Sequence, residues 1–349
     1  MSTLSAFVDN ELNLVKVALV KDDVPIFMDA DVLDRPGQLD TIFAATVLRK
    51  DTSFYWCDIG LARPGLLSLE KGFQPLCEGE KVLVQIKREA FLDKGETSHH
   101  FAKPVELTRQ IVLAHQGCLY FALTGQFKPR TALPVCVLSQ QQQVLERIFT
   151  EVQQQCLTSA ASLILPGPTV LDRFLKELPV RTPVKIATPE LMLKAKTFCH
   201  VYRPDLLDYL ILERPGLWTK EGLDEIWQTC LDDIVPVSMG NILIESTACV
   251  TTIDVNAPLA KSREFNQQVL GLVAHQLMWR RLSGNVIIDF LADSPAQQQI
   301  IQKTLTTLLK ADRPAWRILG WSPLGWLELQ RSKRRIPLNM VMQQYNLRG

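Results

Sequence analysis

Paired cysteines are missing from this sequence. Its eight cysteines, at positions 57, 77, 118, 136, 156, 199, 230 and 249, never occur as Cys-x-x-Cys. That argues against a zinc ribbon, and a disulfide framework is not expected in a chain of 349 residues. Reduced thiols packed in cores are the simpler reading. No run of eighteen consecutive apolar residues occurs, so no membrane-spanning helix is expected. The N-terminus lacks a basic region followed by an apolar run, so no signal peptide is read and a cytoplasmic setting is expected. Neither sign of charge dominates: 38 Lys and Arg stand against 37 Asp and Glu, a net +1. Overall charge therefore does not mark a nucleic-acid binder, and only local clusters can. No internal repeat or flexible linker stands out. What is present, 47% hydrophobic and 21% charged residues, suffices for cores and excludes wholesale disorder. The length predicts two or three globular units.

Short β-rich runs dominate the first third. Leu12 to Val20 and Val24 to Met28 alternate as two antiparallel strands around a Lys21-Asp22-Asp23 turn. Thr41 to Leu48, Phe54 to Asp58, Leu66-Leu67 and Glu80 to Arg88 follow as short strands spaced by turn signals, the pattern of an OB-type barrel. Phe54 and Trp56 share one strand face while Tyr55 takes the other, and Lys87, Arg88 and Lys94 come next. Aromatic and basic residues on a small barrel suit stacked bases and phosphates. Either aromatic can equally fill the barrel core. Farther on, Arg130 lies in a basic Lys-Pro-Arg-Thr turn, and Gln140 to Gln155 is a Gln-rich helix with one apolar stripe. Residues 166–238 read as α/β, with helices over Thr169 to Leu178, Pro189 to Phe198 and Thr219 to Leu231, the last capped by Thr219.

The C-terminal third carries the chemistry. Ile242 to Glu245 and Val250 to Val255 form a β-hairpin that ends on Asp254 and Asn256, two residues apart and so on one face. A helix from Ser262 to Arg281 leads to a second strand, Asn285-Val-Ile-Ile-Asp289, which also ends on an acid. Two strands finishing on aspartates are what an oxygen-ligated Mg²⁺ site needs. Taken alone, Asp254 reads more simply as a cap at a strand end and Asp289 as a solvated loop acid. After a helix capped by Ser294, strands over Trp316 to Gly320 and Gly325 to Gln330 precede the basic run Arg331-Ser-Lys333-Arg-Arg.

Three ordered segments, Ile-Glu-Ser-Thr…Thr-Thr-Ile-Asp-Val-Asn (244–256), Gly-Asn-Val-Ile-Ile-Asp-Phe (284–290) and Gly-Trp-Leu-Glu-Leu-Gln-Arg-Ser-Lys-Arg (325–334), resemble the RNase E/G endoribonuclease family. Trp56-Cys-Asp-Ile-Gly-Leu-Ala-Arg-Pro-Gly-Leu and Gly79-Glu-Lys-Val-Leu-Val-Gln-Ile-Lys-Arg resemble that family's OB-fold RNA-binding domain. The resemblance implies a multidomain α+β and α/β chain. An RNase H-like domain (1–35 and 166–238) would hold an inserted OB-fold β-barrel (36–104), with a reduced 5′-sensor-like region (105–165) after the barrel, and would be followed by a DNase I-like catalytic subdomain (239–349). It implies that Asp254 and Asp289 bind Mg²⁺, that Asn256 positions water or carboxylate, and that Arg331 and Lys333 contact phosphate. Trp56, Leu66, Lys94 and Arg130 would bind RNA. The implied activity is hydrolysis of single-stranded RNA to 5′-phosphate and 3′-hydroxyl ends, for RNA processing or decay.

The chain departs from the family pattern at three places. A Cys-Pro-x-Cys zinc link is absent, so no zinc is expected, and a monomer or a dimer without zinc is. No arginine lies between Arg147 and Arg173, where the family's 5′-phosphate sensor carries an Arg-Thr pair, so weak dependence on the RNA 5′ end is expected. The hairpin turn has Ala248 in place of an acid, and Asn256 is followed by Ala257-Pro258. These changes leave open an RNA-binding homologue of weak or no catalytic activity.

Overall fold

The computed structural model describes residues 3–33, 38–52, 54–68, 75–90, 109–113, 147, 150–247, 249–257, 262–291, 294–310, 312 and 314–346. Its contacts divide the chain into two units, one of Met1–Asp23 with Ala30–Leu217, the other of Val24–Asp29 with Trp218–Gly349. The described residues form a mixed α/β structure with three sheets. None of their helices is long and apolar enough to cross a membrane.

The first sheet begins with β1 (Leu4–Glu11), β2 (Leu14–Lys21) and β3 (Val24–Val32). β1 and β2 pair antiparallel through a tight turn at Leu12 and Asn13. Leu12, expected to open a strand, instead sits in that turn with positive φ and is 77% exposed. The β2–β3 turn falls where expected, with Asp22 and Asp23 both at positive φ, the conformation that lets a two-residue hairpin follow strand twist. β1 is one of the strands that sequence reasoning missed. Its Ala6, Phe7, Val8 and Asp9 are all buried, because it lies mid-sheet and so cannot show the alternation of a half-exposed strand. It pairs in parallel with β10 (Val184–Ile186), and β10 with β11 (Leu210–Leu212), giving the order β11-β10-β1-β2-β3.

A second sheet in this unit contains β4 (Ile42–Lys50), β5 (Tyr55–Asp58), β6 (Gly65–Leu67), β7 (Lys81–Arg88), β8 (Arg109–Leu113) and β9 (Ser162–Leu165), in the order β5-β6-β8-β7-β4-β9. β4 also hydrogen-bonds to β5. Its core gathers Phe43, Val47, Tyr55, Cys57, Ile59, Leu67, Val84 and Ile86. Residues 150–158 are helical, as expected for the end of the Gln-rich segment. Two helices complete the unit. α1 (Val170–Glu177) opens on a capping box between Thr169 and Asp172, and α2 (Pro189–Tyr202) is capped by Thr188 with proline in its first turn.

In the second unit the helix expected from Thr219 is broken into α3 (Leu217–Lys220) and α4 (Leu223–Thr229). The break falls at Gly222, whose φ of +67° no continuous helix allows. Six strands follow: β12 (Ile234–Val237), β13 (Gly240–Ser246), β14 (Val250–Asn256), β15 (Gly284–Asp289), β16 (Arg317–Trp321) and β17 (Leu327–Arg331). Their order is β12-β13-β14-β15-β17-β16. β12 is thus hydrogen-bonded into this sheet, on the far side of the expected boundary at 238. Its Pro236 suits an edge strand. β14 and β15 are parallel, which requires a crossover. α5 (Ser262–Trp279) supplies it, and α6 (Pro295–Leu309) joins β15 to β16. A short α7 (Leu338–Asn346) follows β17. Ile253, Val255, Val286, Ile288, Leu327 and Leu329 from the sheet pack on Phe265, Val269, Leu277, Ile301 and Leu305 from α5 and α6.

Candidate active site

Covering one face of the β12–β17 sheet with helices determines where its other side chains go. On β14, Thr251, Ile253 and Val255 are buried, so Thr252, Asp254 and Asn256 point to the opposite face. On β15, Val286 and Ile288 are buried, leaving Asn285, Ile287 and Asp289 on that same face. The parallel register then pairs Asp254 directly with Asp289. Neighbouring strands lie about 4.8 Å apart, so the two carboxylates stand side by side. Asp254 is half-buried and Asp289 exposed.

Asn256 completes the group. Its Nδ2 donates to Asp254 Oδ2 at 2.9 Å and to Asn241 Oδ1 at 3.4 Å. Asn241 lies opposite Asn256 in the β13–β14 register. Sequence reasoning missed it, although the hairpin's short turn already implied that pairing. The close strand approach here depends on Gly240, where a Cβ would meet Asn256 O at 1.9 Å. With its NH₂ used on Asp254 and Asn241, Asn256 turns its carbonyl oxygen away from both.

The donor set suits a hard divalent cation. Among the described residues no group of three or more His, Cys, Asp or Glu is placed to hold a metal. The two registered carboxylates, with Asn256 beside them, are the oxygen donors that this face offers. Mg²⁺ is bound in this way, through one or two carboxylates, with waters and substrate phosphate filling the remaining positions.

The basic residues expected here lie elsewhere. Arg331 pairs with Gly284 at the start of β15, five residues and about 16 Å of strand from Asp289. It also takes the buried face, in phase with Leu327 and Leu329. Its guanidinium bonds to Asp312 at 2.8 Å, to Pro314 O at 3.1 Å and to Leu282 O at 3.2 Å, and lies 5.2 Å from the centre of the Trp316 ring. Arg331, expected to contact phosphate, thus stands in a buried ion pair with Asp312 and not beside the two aspartates. Lys333 is exposed and passes over Gly284, where a Cβ would meet its Cε at 2.7 Å, again at the end of β15 away from Asp289. Ala248, at the hairpin tip, lies outside the described residues.

In the first unit, Trp56 and Leu66 are brought together as cross-strand partners on β5 and β6. Tyr55 and Cys57 fill the core, so Trp56 projects to the other side of β5, half-buried. Phe54 meets it edge-on with centroids 6.0 Å apart, and the Arg49 guanidinium lies 5.4 Å from its ring centre. The alternative that Trp56 fills the core is thereby set aside. Lys94 and Arg130 lie outside the described residues. Cys57, Cys199 and Cys230 are core thiols, and burial pushes the pKa of each up to about 12, whereas Cys77 and Cys249 are exposed.

The Ribonuclease E/G family model matches residues 135–334. Ribonuclease G of Haemophilus influenzae is 26% identical over 224 residues, 59% of this chain and 45% of that protein. Ribonuclease E of Synechocystis sp. is 25% identical over 306 residues, 73% of this chain and 44% of that protein. Ribonuclease E of Escherichia coli is 31% identical over 105 residues, covering 28% of this chain and 10% of that protein. Each similarity thus spans less than half the length of the relative concerned.

Proposed function

The chain belongs to the ribonuclease E/G family, and from that premise we propose that it is a Mg²⁺-dependent endoribonuclease. It hydrolyses single-stranded RNA to 5′-phosphate and 3′-hydroxyl ends. The observation that carries this reading is the register of Asp254 with Asp289 beside the fixed amide of Asn256.

Asp254 and Asp289 would hold the ion. When bound, Mg²⁺ supplies charge neutralisation at the phosphate and lowers the pKa of water. Asn256 turns its carbonyl oxygen to the attacking water and orients it by accepting a hydrogen bond. Asp254 fixes that amide by accepting from its NH₂, so one carboxylate serves both ion and amide. Arg331 takes no part in the chemistry. Trp56 and Leu66 hold unpaired bases by stacking and apolar contact, which suits a single-stranded substrate.

The wider architecture follows the family. The sheet order β11-β10-β1-β2-β3, with β1, β10 and β11 parallel, supports an RNase H-like domain. The pairing of β4 with both β5 and β7 supports an inserted OB-type barrel. The six-stranded sheet under α5 and α6 supports a DNase I-like subdomain. A cytoplasmic enzyme, monomeric or dimeric without zinc and weakly dependent on the RNA 5′ end, completes the proposal.

The test is cleavage of a fluorogenic single-stranded RNA with Mg²⁺ and with EDTA, with ligation used to detect 5′-phosphates on the products. Cleavage that needs the metal and yields ligatable products is expected. Binding of RNA without cleavage at any Mg²⁺ concentration overturns the enzyme reading in favour of an RNA-binding homologue.

A further inference from the structure

The face of the β12–β17 sheet that presents Asp254 and Asp289 carries a second polar group that the proposed chemistry does not use. Arg317, Gln330 and Asn285 stand in one row across β16, β17 and β15, in direct register. Each alternates with inward neighbours: Gln330 lies between Leu329 and Arg331, and Asn285 precedes Val286. The row therefore shares its face with Asp254 and Asp289. Arg317 and Asn285 are exposed, and Gln330 is half-buried between them.

Side-chain hydrogen bonds tie the row together. Gln330 Nε2 donates to Asn285 Oδ1 at 3.2 Å, and Arg317 Nη1 donates to Gln330 Oε1 at 3.4 Å. Both amide carbonyls are thus engaged along the row. What the row offers outward is mainly N–H: the Asn285 NH₂, the second Gln330 N–H and the rest of the guanidinium. A strip of donors next to one cation complements a ligand that only accepts. Base edges mix donors with acceptors, whereas the non-bridging oxygens of a phosphodiester only accept.

Position gives the strip its use. Asn285 is four residues before Asp289 on the same face of β15, about 13 Å away. That distance spans no more than about four stacked nucleotides at roughly 3.4 Å each. Ile287 lies between them, with Thr252 and Glu328 as its cross-strand neighbours. Glu328 and Glu245 make this middle of the face repellent to an anionic strand, and Arg317 supplies the opposing charge beyond it.

We propose that Arg317, Gln330 and Asn285 form a subsite for a backbone phosphate of the RNA strand, within about four nucleotides of the bond cut at Asp254 and Asp289. The proposal rests on the ribonuclease reading above. The subsite holds the strand irrespective of sequence.

The experiment uses the full chain and 5′-fluorescein single-stranded oligouridylate and oligoadenylate in EDTA, with anisotropy measured over a KCl series. Cleavage of the same RNAs in Mg²⁺ is followed in parallel. Arg317→Gln is expected to weaken binding of both RNAs about tenfold and to lower the slope of log affinity against log salt by about 0.7, one phosphate contact on a single strand. Asn285→Ala with Gln330→Ala should weaken both RNAs similarly while leaving the slope closer to wild type. Lys303→Gln, the same charge change on the exposed side of α6, serves as control and should leave the slope unchanged. A wild-type slope in Arg317→Gln overturns the subsite, as does a loss confined to one of the two RNAs, which would indicate a base contact. Wild-type chain that binds with the predicted slopes but never cuts overturns the ribonuclease reading alone. Urea midpoints of each variant separate loss of contact from loss of fold.

Discussion

Replacing Arg331 with alanine separates structure from catalysis at a basic residue that lies buried and away from the two aspartates. Arg331 is buried on the helix-covered face of β17, and Asp312 accepts its ion pair at 2.8 Å with little exposure of either side chain. Burial pushes its pKa down while the Asp312 carboxylate holds it up, so the pair is coupled. Alanine leaves the Asp312 carboxylate without this partner and removes the donor to Pro314 O and Leu282 O. Breaking a buried pair from one side costs about 3–5 kcal/mol. With an m-value of about 2 kcal/mol/M, the urea midpoint should fall by roughly 1.5–2.5 M. Replacing both partners, as Arg331→Met with Asp312→Leu, should recover much of that loss, since a matched apolar pair avoids the desolvation penalty. The assay is urea unfolding followed by tryptophan fluorescence, with RNA cleavage measured per folded molecule. A catalytic Arg331 would give the opposite pattern, and that pattern would refute the structural assignment: a wild-type midpoint in Arg331→Ala together with a cleavage rate reduced a hundredfold or more.

Three further outcomes follow from particular contacts. His275 stacks on Trp279 at 4.6 Å, and burial holds its pKa below 6.5. The unfolded chain thus binds more protons just below pH 6.5, and this contribution to stability is full above that pH and lost as pH falls. His275→Phe should flatten the fall in urea midpoint between pH 7 and 5, and an unchanged profile would contradict this. Gly240→Ala drives a Cβ against Asn256 O and Phe265 Cζ, at 1.9 and 3.0 Å, and should cost toward the upper end of about 1–3 kcal/mol while slowing cleavage. Gly271→Ala, on a helix with open space around it, should instead stabilise by about 0.5–1 kcal/mol, and urea midpoints compare the two. Trp56→Ala should weaken binding of single-stranded RNA by about 1–3 kcal/mol per stacked base without loss of fold. Unchanged affinity in anisotropy would remove Trp56 from the RNA surface.

Much of the candidate site was legible because strands repeat every two residues. That period put Asp254 and Asn256 on one face, and apolar β15 residues ending on an acid identified Asp289. The same period puts Arg331 in phase with Leu327 and Leu329, on the helix-covered face. Asn241 escaped because nothing in its own segment marks it, and only the pairing across the hairpin brings it to Asn256. β1 escaped for a different reason. Asp9, Asn10 and Glu11 look like a polar loop, yet Asp9 is buried beside β10, a strand far along the chain. The helix broken at Gly222 reflects backbone freedom that periodicity does not register. Local caps were an uneven guide: Thr169, Thr188 and Ser294 each start a helix, whereas Thr219, expected as a cap, lies inside α3.

The central claim is that Asp254 and Asp289 together hold the divalent ion that makes this chain a nuclease. The direct measurement is a Mg²⁺ titration of single-stranded RNA cleavage by wild type, Asp254→Asn and Asp289→Asn, paired with calorimetric binding of Mn²⁺ to the same three proteins. Each variant should lose the heat of metal binding and at least about a hundredfold in rate, since charge stabilisation of this kind is worth several kcal/mol, while its urea midpoint stays near wild type. Variants that bind Mn²⁺ and cleave RNA as the wild type does would contradict the account.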